Sequence, residues 1–352
     1  MIREALATVL AGHELSQEQV NAVMEEIVSG SATPAQIGGL LIALKAKPET
    51  GTEIASFSRA MRRYSLQIHV GLPGPIVDTA GTGGDGTGTF NVSTTSAILL
   101  AAGGLRVAKH GNRAVSSKSG SADLLEALGV NIFASPEVVE RCIISAGFGF
   151  LYAPVFHPAM KSVGMIRREL GTKTIFNLLG PLTNPAGATH QLLGVADERA
   201  LGTVSAALRE LGTKKSYVIF GMEGMDEVSV CGPTLTVKIE ENSFTRLRLQ
   251  PEDFGLNRIP VGQLKQGIFS GNALSVYRIL SGRCHLDEPI VSLALANTGL
   301  GFELGGLASS ISEGVDVARS VISSGRSVET LQKVVESSEG NKQKLEELEK
   351  HA

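Results

Sequence analysis

At about residue 70 the sequence changes its period, and that change limits the folds open to it more than any other feature. Before it, "REALATVLAG" and "EQVNAVMEEIVSG" place apolar residues three and four apart and stop at glycine, the pattern of amphipathic helices. Ser16 followed by Gln19 has the spacing of a capping box. "TPAQIGGLLIALKAK" offers Thr33 as a cap and Pro34 at the first helical position, and "GTEIASFSRAMRRY" is amphipathic again. From "VGLPGPIVDTAG" onward, short aliphatic runs alternate with helical ones: "PIVD", "STTSAILLAAGG", "LRVAK", "SADLLEALGV", "VNIFA", "SPEVVERCIISAG" and "FGFLYA". Alternation of this kind predicts an α/β fold with a mostly parallel central sheet, preceded by a small all-helical domain.

The helical pattern returns between Pro158 and about Pro185, in "AMKSVGMIRRELG" and "TIFNLLGPLTNPAG", as though the chain rejoined its first part. The expected division is a helical domain of residues 1–66 joined by part of 158–187, and an α/β domain of 70–157 and 188–352. Strands resume at "HQLLGVAD" and "KSYVIFG", "LTVKIEENSFTRLRL" reads as a β-hairpin, and "SEGNKQKLEELEKHA" as a solvated terminal helix.

Composition narrows the partners. A formal charge of −3 provides no basic field for nucleic acid. Tryptophan is absent and aromatics are 5%, so the core is expected to be aliphatic. Cys142, Cys231 and Cys284 are widely spaced and form no metal-ligand pattern, which suits free thiols in a reducing compartment. No apolar run approaches the ~18 residues that span a bilayer. The N-terminus lacks a secretory pattern, and the expected location is the cytoplasm.

The densest chemical signal is "DTAGTGGDGTGTFNVSTTSAILL", which puts five glycines ahead of an apolar helix. Gly81, Gly83 and Gly86 fit G-x-G-x-x-G, the dinucleotide fingerprint, which requires an acidic residue at the end of the next strand. That strand ends in Lys109-His110-Gly111-Asn112-Arg113, the opposite chemistry. No Gly-Lys-Ser/Thr follows, so the loop is not a Walker sequence either. Phosphate binding at a helix start is a second reading, with Asn91, Ser93, Thr94 and Thr95 beside open amides and the positive dipole end. Simple helix capping by the same residues is a third. A second polar cluster, "KHGNRAVSSKSGSAD", sits at the neighbouring strand end, with Lys109 as a point charge and a run of serines and glycines. Two such loops suggest a ligand with more than one phosphate group.

With these blocks, together with "HPAMKSVGMIRRELGTKTIFNLLGPLTNP" and "DEVSVCGPT", the sequence resembles the anthranilate phosphoribosyltransferases of tryptophan biosynthesis, in order and as far as about residue 335. The resemblance implies a helical domain plus an α/β domain, a fold shared with pyrimidine nucleoside phosphorylases, and a homodimer formed through the helical domain. It implies that phosphoribosyl pyrophosphate (PRPP) is held by Gly81, Gly84, Asp85, Thr89, Asn91, Val92, Ser93 and Thr94. The second loop would hold the same substrate through Lys109, His110, Gly111, Asn112, Arg113, Ala114, Val115, Ser116, Ser117 and Ser121. Anthranilate would meet Gly81, Asn112, Arg167, His110 and Gly180, with His157 near its approach. Mg2+ would be held by Ser93, Asp226 and Glu227. Cys231, where the family would be expected to have threonine, and "LALANTGLGFELGGLA" depart from the pattern outside these contacts.

The chemistry asks for such residues. Displacing pyrophosphate from a ribose carbon proceeds through a loose, oxocarbenium-like state, so the leaving group needs stabilised charge. Hard oxygen ligands such as Asp226 and Glu227, on a loop after "YVIFGMEGM", suit Mg2+. An aromatic amine is neutral at pH 7, so positioning replaces a strong base and no single catalytic residue is expected. Arg167 has the planar fork that a carboxylate accepts. The nearest rival is a pyrimidine nucleoside phosphorylase of the same fold, and a more distant one is an inactive paralogue that binds nucleic acid.

Overall fold

The computed structural model describes residues 1–114, 119–241, 243–264 and 272–352. Four helices open the chain: α1 (Ile2–Leu10), α2 (Gln17–Val28), α3 (Pro34–Ala46) and α4 (Gly51–Arg63). The last three each begin with a capping box, Ser16 with Gln19, Thr33 with Gln36 and Thr50 with Glu53. Each box satisfies two of the amides that a helix start leaves open, and removing one such cap costs about 1 kcal/mol.

The sheet follows. β1 (Ile76–Gly81), α5 (Val92–Ala102), β2 (Arg106–Gly111), α6 (Ser121–Ala127), α7 (Pro136–Ala146) and β3 (Phe148–Tyr152) build one wing. Three helices, α8 (Ala153–Phe156), α9 (Lys161–Leu170) and α10 (Phe176–Leu179), lead back across it. The other wing is β4 (His190–Gly194), α11 (Ala200–Glu210), β5 (Lys215–Gly221), β6 (Thr234–Glu240) and β7 (Ser243–Leu249). Five helices end the chain: α12 (Asn272–Leu280), α13 (Pro289–Leu304), α14 (Ile311–Ser323), α15 (Arg326–Ser337) and α16 (Lys342–His351).

The molecule is thus a small N-terminal helical domain on a larger α/β domain whose seven-stranded sheet runs β3-β2-β1-β4-β5-β6-β7. The first five strands are parallel, and the β6–β7 hairpin extends the edge antiparallel. From β1 the chain departs to one side, and it re-enters on the other at β4. That reversal is a topological switch point, the place in an open α/β sheet where ligands bind beyond the strand ends.

Strand alternation divides the core. Leu192, Tyr217 and Ile219 face a layer built with α5 and α13, whereas Leu193 and Val218 face the opposite layer. That second layer is continuous with α1–α4 and includes Val163, Ile166, Ile175, Phe176 and Leu179 from the returning segment. Ile68, Ala108, Val139 and Phe156 form a smaller third group.

Two sequence expectations are corrected. "VNIFA" is not a strand: Asn131 Oδ1 accepts from the Phe133 amide at 3.1 Å and closes a turn, and Phe133 stays exposed. "TIFNLLGPLTNPAG" is helical only over α10 and one 3-10 turn, Gly180–Leu182, where Pro181 stops the α-helix. The hairpin is formed as read, and α7 begins at Pro136 and ends on a left-handed Gly147.

Candidate active site

The site is built first by what β1 lacks. Gly81, the last residue of β1, pairs with Gly194, the last of β4. The Asp226 segment, arriving beyond β5, lies across both strand ends. A Cβ on Gly81 would stand 2.3 Å from Asp226 Oδ2, and one on Gly194 would stand 1.7 Å from the Asp226 carbonyl oxygen. The chain then turns through Gly83, Gly84, Gly86 and Gly88, all at positive φ between 65° and 74°. The Gly83 amide donates to Asp226 Oδ2 at 2.7 Å. Asp85 accepts from the Thr87 amide at 3.3 Å and from its hydroxyl at 2.5 Å, and the Thr87 and Thr89 hydroxyls lie 3.5 Å apart.

The loop ends at α5, and the polar residues there do not cap it in the ordinary way. Asn91 is the N-cap but makes no side-chain bond to the helix. Its amide and side chain are instead engaged by Asn272. The Ser93 amide donates to Glu227 Oε1 at 3.1 Å, and the Ser93 carbonyl accepts from Thr79 Oγ1 at 2.8 Å. Val92 and Thr94 are buried, and Thr94 Oγ1 has no hydrogen-bond partner among the described residues. Capping alone therefore fails to account for this cluster.

Lys109 is fully buried rather than solvent-facing. Its Nζ donates to the Thr79 carbonyl at 2.5 Å and to Ser93 Oγ at 3.2 Å. Burial lowers its pKa, and the charges of Asp78, Glu227 and Asp226 oppose that shift. Burial pushes the Asp226 carboxyl up to about 6, reinforced by Asp85 and opposed by the Gly83 amide. Glu227 is raised well above its ordinary value by burial and by Asp226, with Lys109 and the Ser93 amide pulling the other way. Two half-buried neighbouring carboxylates beside a third acid make a site that favours a cation.

The donor set fits Mg2+. Among the described residues no three His, Cys, Asp or Glu side chains converge into a cage. Mg2+ does not need one, because it takes one or two carboxylates and completes its shell with water and substrate phosphate.

On the other side of β2 the site turns aromatic and cationic. His110 Nδ1 lies 2.9 Å from the Gly180 carbonyl oxygen, which can only accept, so Nδ1 carries the proton and Nε2 is a bare acceptor. That Nε2 is buried without a partner among the described residues. The His157 ring stands 5.0 Å away. Burial pushes His110 down to about 3, with His157 contributing, and burial pushes His157 down to about 4, so both are neutral near pH 7. Arg167 stacks its guanidinium 5.7 Å over the Phe176 ring and forms no ion pair among the described residues. Its pKa is lowered by burial alone. A half-buried guanidinium without a carboxylate is a ready partner for one brought from outside.

The second loop is pinned at its feet. Asp123 Oδ2 accepts from the amides of Ala114 and Gly120, both at 2.9 Å. The Arg113 guanidinium is engaged by Asp123 at 2.8 Å and Glu126 at 2.9 Å. Ser121 Oγ donates to the Asn112 carbonyl at 3.3 Å, and a Cβ on Gly111 would strike Ser121 Oγ at 2.2 Å. Val115, Ser116 and Ser117 lie outside the described residues.

Several residues central to this geometry were missed in the sequence. Asp78 is fully buried on β1 and pushed up to about 6 by burial, opposed by Lys109 and by the Asn184 amide at 2.8 Å. Asn184 also donates to the Ala108 carbonyl at 2.7 Å, tying the returning segment to β1 and β2. A carboxylate inside the aliphatic run "PIVD" was the available signal for Asp78. Gly194, Asp123 and Asn272 carried none.

Residues 3–65 match the glycosyl transferase family helical bundle domain, and residues 73–328 match its a/b domain. The chain is 47% identical over 340 residues to the anthranilate phosphoribosyltransferase of Chloroflexus aurantiacus, covering 96% of this chain and 99% of that one. The crystal structure of the enzyme of that name from Thermus thermophilus superposes with a TM-score of 0.88 at 42% identity, covering 95% of this chain and 99% of its own. The Saccharomyces cerevisiae enzyme, solved in complex with PRPP and Mg, gives a TM-score of 0.85 at 30% identity, covering 96% and 98%.

Proposed function

The chain belongs to the anthranilate phosphoribosyltransferase family of glycosyl transferases, and from that premise we propose how its residues divide the work. The reaction moves the phosphoribosyl group of PRPP to the amine of anthranilate with release of pyrophosphate, a step of tryptophan biosynthesis.

In our reading the diphosphate of PRPP lies over the glycine loop, at the open amides and positive end of α5. Asp226 and Glu227, with Ser93, hold Mg2+, which when bound neutralises charge on the departing pyrophosphate. The second loop contributes to the same substrate's site through its described residues up to Ala114 and through Ser121. Lys109 acts from behind: it ties β1 to α5 through Thr79 and Ser93 and balances the buried carboxylates. Arg167 receives the anthranilate carboxylate in its fork. His110, held by the Gly180 carbonyl as the Nδ1–H tautomer, backs the anthranilate side of the site, and Asn112 contacts anthranilate. The amine's own lone pair attacks the ribose carbon, so these groups contribute alignment rather than proton abstraction.

The observation that carries this reading is the crossing of Asp226 over Gly81, which sets an acidic pair against a phosphate-suited loop. Crystals soaked with PRPP and Mn2+ test it. Anomalous signal at Asp226 and Glu227 with PRPP density over residues 81–94 is the expected result, and metal bound elsewhere overturns the assignment.

We further read the molecule as a cytoplasmic homodimer joined through its helical domain. Exposed Leu10, Ile42 and Met165 on that part support the dimer, and sedimentation tests it. Three free, buried cysteines favour a reducing compartment. Among the described residues no helix is long and apolar enough to cross a membrane.

A further inference from the structure

The start of α5 is braced from a distant part of the chain. Asn272, the first residue of α12, lies 181 positions after Asn91. The Asn91 backbone amide donates to Asn272 Oδ1 at 3.2 Å, and Asn272 Nδ2 donates to Asn91 Oδ1. The polarity of this pair follows from one fixed donor. A backbone N–H can only donate, so the Asn272 atom facing it is the oxygen. Asn272 therefore turns its NH2 group toward the Asn91 side chain, which must answer with Oδ1. Neither bond uses Asn91 Nδ2.

Without this partner, Asn91 would do what asparagine at an N-cap ordinarily does and turn Oδ1 onto the open amides of its own helix. The amide would then face the other way. Asn272 is well placed to prevent this. Val276, Tyr277, Ile279 and Leu280 bury α12, and Ser327 Oγ donates to the Leu280 carbonyl at 2.6 Å.

We propose that Asn272 is a positioning residue for PRPP: by holding Asn91 Oδ1 it leaves the donor end of the Asn91 amide for the phosphoribosyl ligand. The inference rests on the reading that Asn91 contacts PRPP.

The test compares the full-length enzyme with Asn272→Asp, Asn272→Ala, Asn91→Ala and the Asn272→Asp/Asn91→Ala double variant. KM is measured for each substrate with the other saturating, alongside thermal melts. Asn272→Asp keeps the acceptor for the Asn91 amide but faces Asn91 Oδ1 with oxygen, and Asn272→Ala repeats the loss without added charge. Each Asn272 variant is expected to raise KM for PRPP by about tenfold while KM for anthranilate moves by less than about twofold. The double variant is expected to be no worse than Asn91→Ala alone, because the two residues act as one unit. Unchanged KM for PRPP in both Asn272 variants overturns the proposal, as does full additivity in the double variant. A parallel rise in both KM values with a lowered melting temperature also overturns it, since that marks a structural brace. If Asn91→Ala itself leaves KM for PRPP unchanged, the underlying reading of Asn91 fails and the proposal falls with it.

Discussion

The Asp226 backbone passes so close to Gly194 that a methyl group there would stand 1.7 Å from its carbonyl oxygen, whereas at Gly81 the obstacle is the carboxylate end of the same residue, 2.3 Å away. A carboxylate can swing aside and a backbone carbonyl cannot. Gly194→Ala is therefore expected to lower stability by about 3 kcal/mol and Gly81→Ala by about 1 kcal/mol. Both should depress activity, since each displaces the acidic loop. Chemical denaturation of the two variants checks the order, and a larger loss at Gly81 would contradict it.

Asp226 carries a stability cost when ionised. Its pKa rises from 3.8 unfolded to about 6 folded, so the folded state binds the extra proton between those values. The associated stability is complete below about pH 4 and is lost as pH rises through about 6. Asp226→Asn escapes that loss. With EDTA present, the variant is expected to be about 2 kcal/mol more stable than the parent at pH 8, with the gap closing toward pH 4. Its activity with Mg2+ should fall by about a hundredfold or more. Denaturant melts at the two pH values decide the matter.

Lys109 behaves oppositely. It faces Asp78, Glu227 and Asp226 from a fully buried position, and removing it strands their charges. Lys109→Met should cost about 3–5 kcal/mol at pH 8. Below pH 6 the penalty should shrink, because Asp78 and Asp226, both pushed up to about 6, then take up protons. A penalty that does not change with pH would show that packing, not charge, holds the residue in place.

Arg167→Ala is expected to raise KM for anthranilate by about 10–100-fold, the worth of a charge-assisted paired bond. KM for PRPP should stay nearly constant. Arg167→Lys should not restore the loss, since a point charge cannot replace the fork. Equal shifts for both substrates would remove Arg167 from the acceptor site.

Local chemistry made part of this site legible in advance. The glycine run before α5 and the acidic pair after β5 are both short-range signals, as are the Ser16 capping box and the Thr33 cap in the helical domain. The Asp226 crossing was not legible, because Gly194 becomes a glycine requirement only when β4 pairs with β1. Asn91 looked like a cap for the same reason: the residue that redirects it is 181 positions away. "VNIFA" had strand composition, but the side chain of Asn131 closes a turn there, and an aliphatic run cannot reveal that by itself. The protonated nitrogen of His110 likewise depends on the Gly180 carbonyl, which only the folded chain brings within reach.

The most direct measurement of this chemistry is the consumption of PRPP with anthranilate by the purified protein, with Mg2+ and then with EDTA, in the parent and in Asp226→Asn. One phosphoribosylated anthranilate should form per pyrophosphate released, a reaction abolished by EDTA, restored by Mg2+ and severely reduced in the variant. PRPP left intact with Mg2+ and acceptor in excess, or metal-independent phosphorolysis of a pyrimidine nucleoside instead, would contradict it.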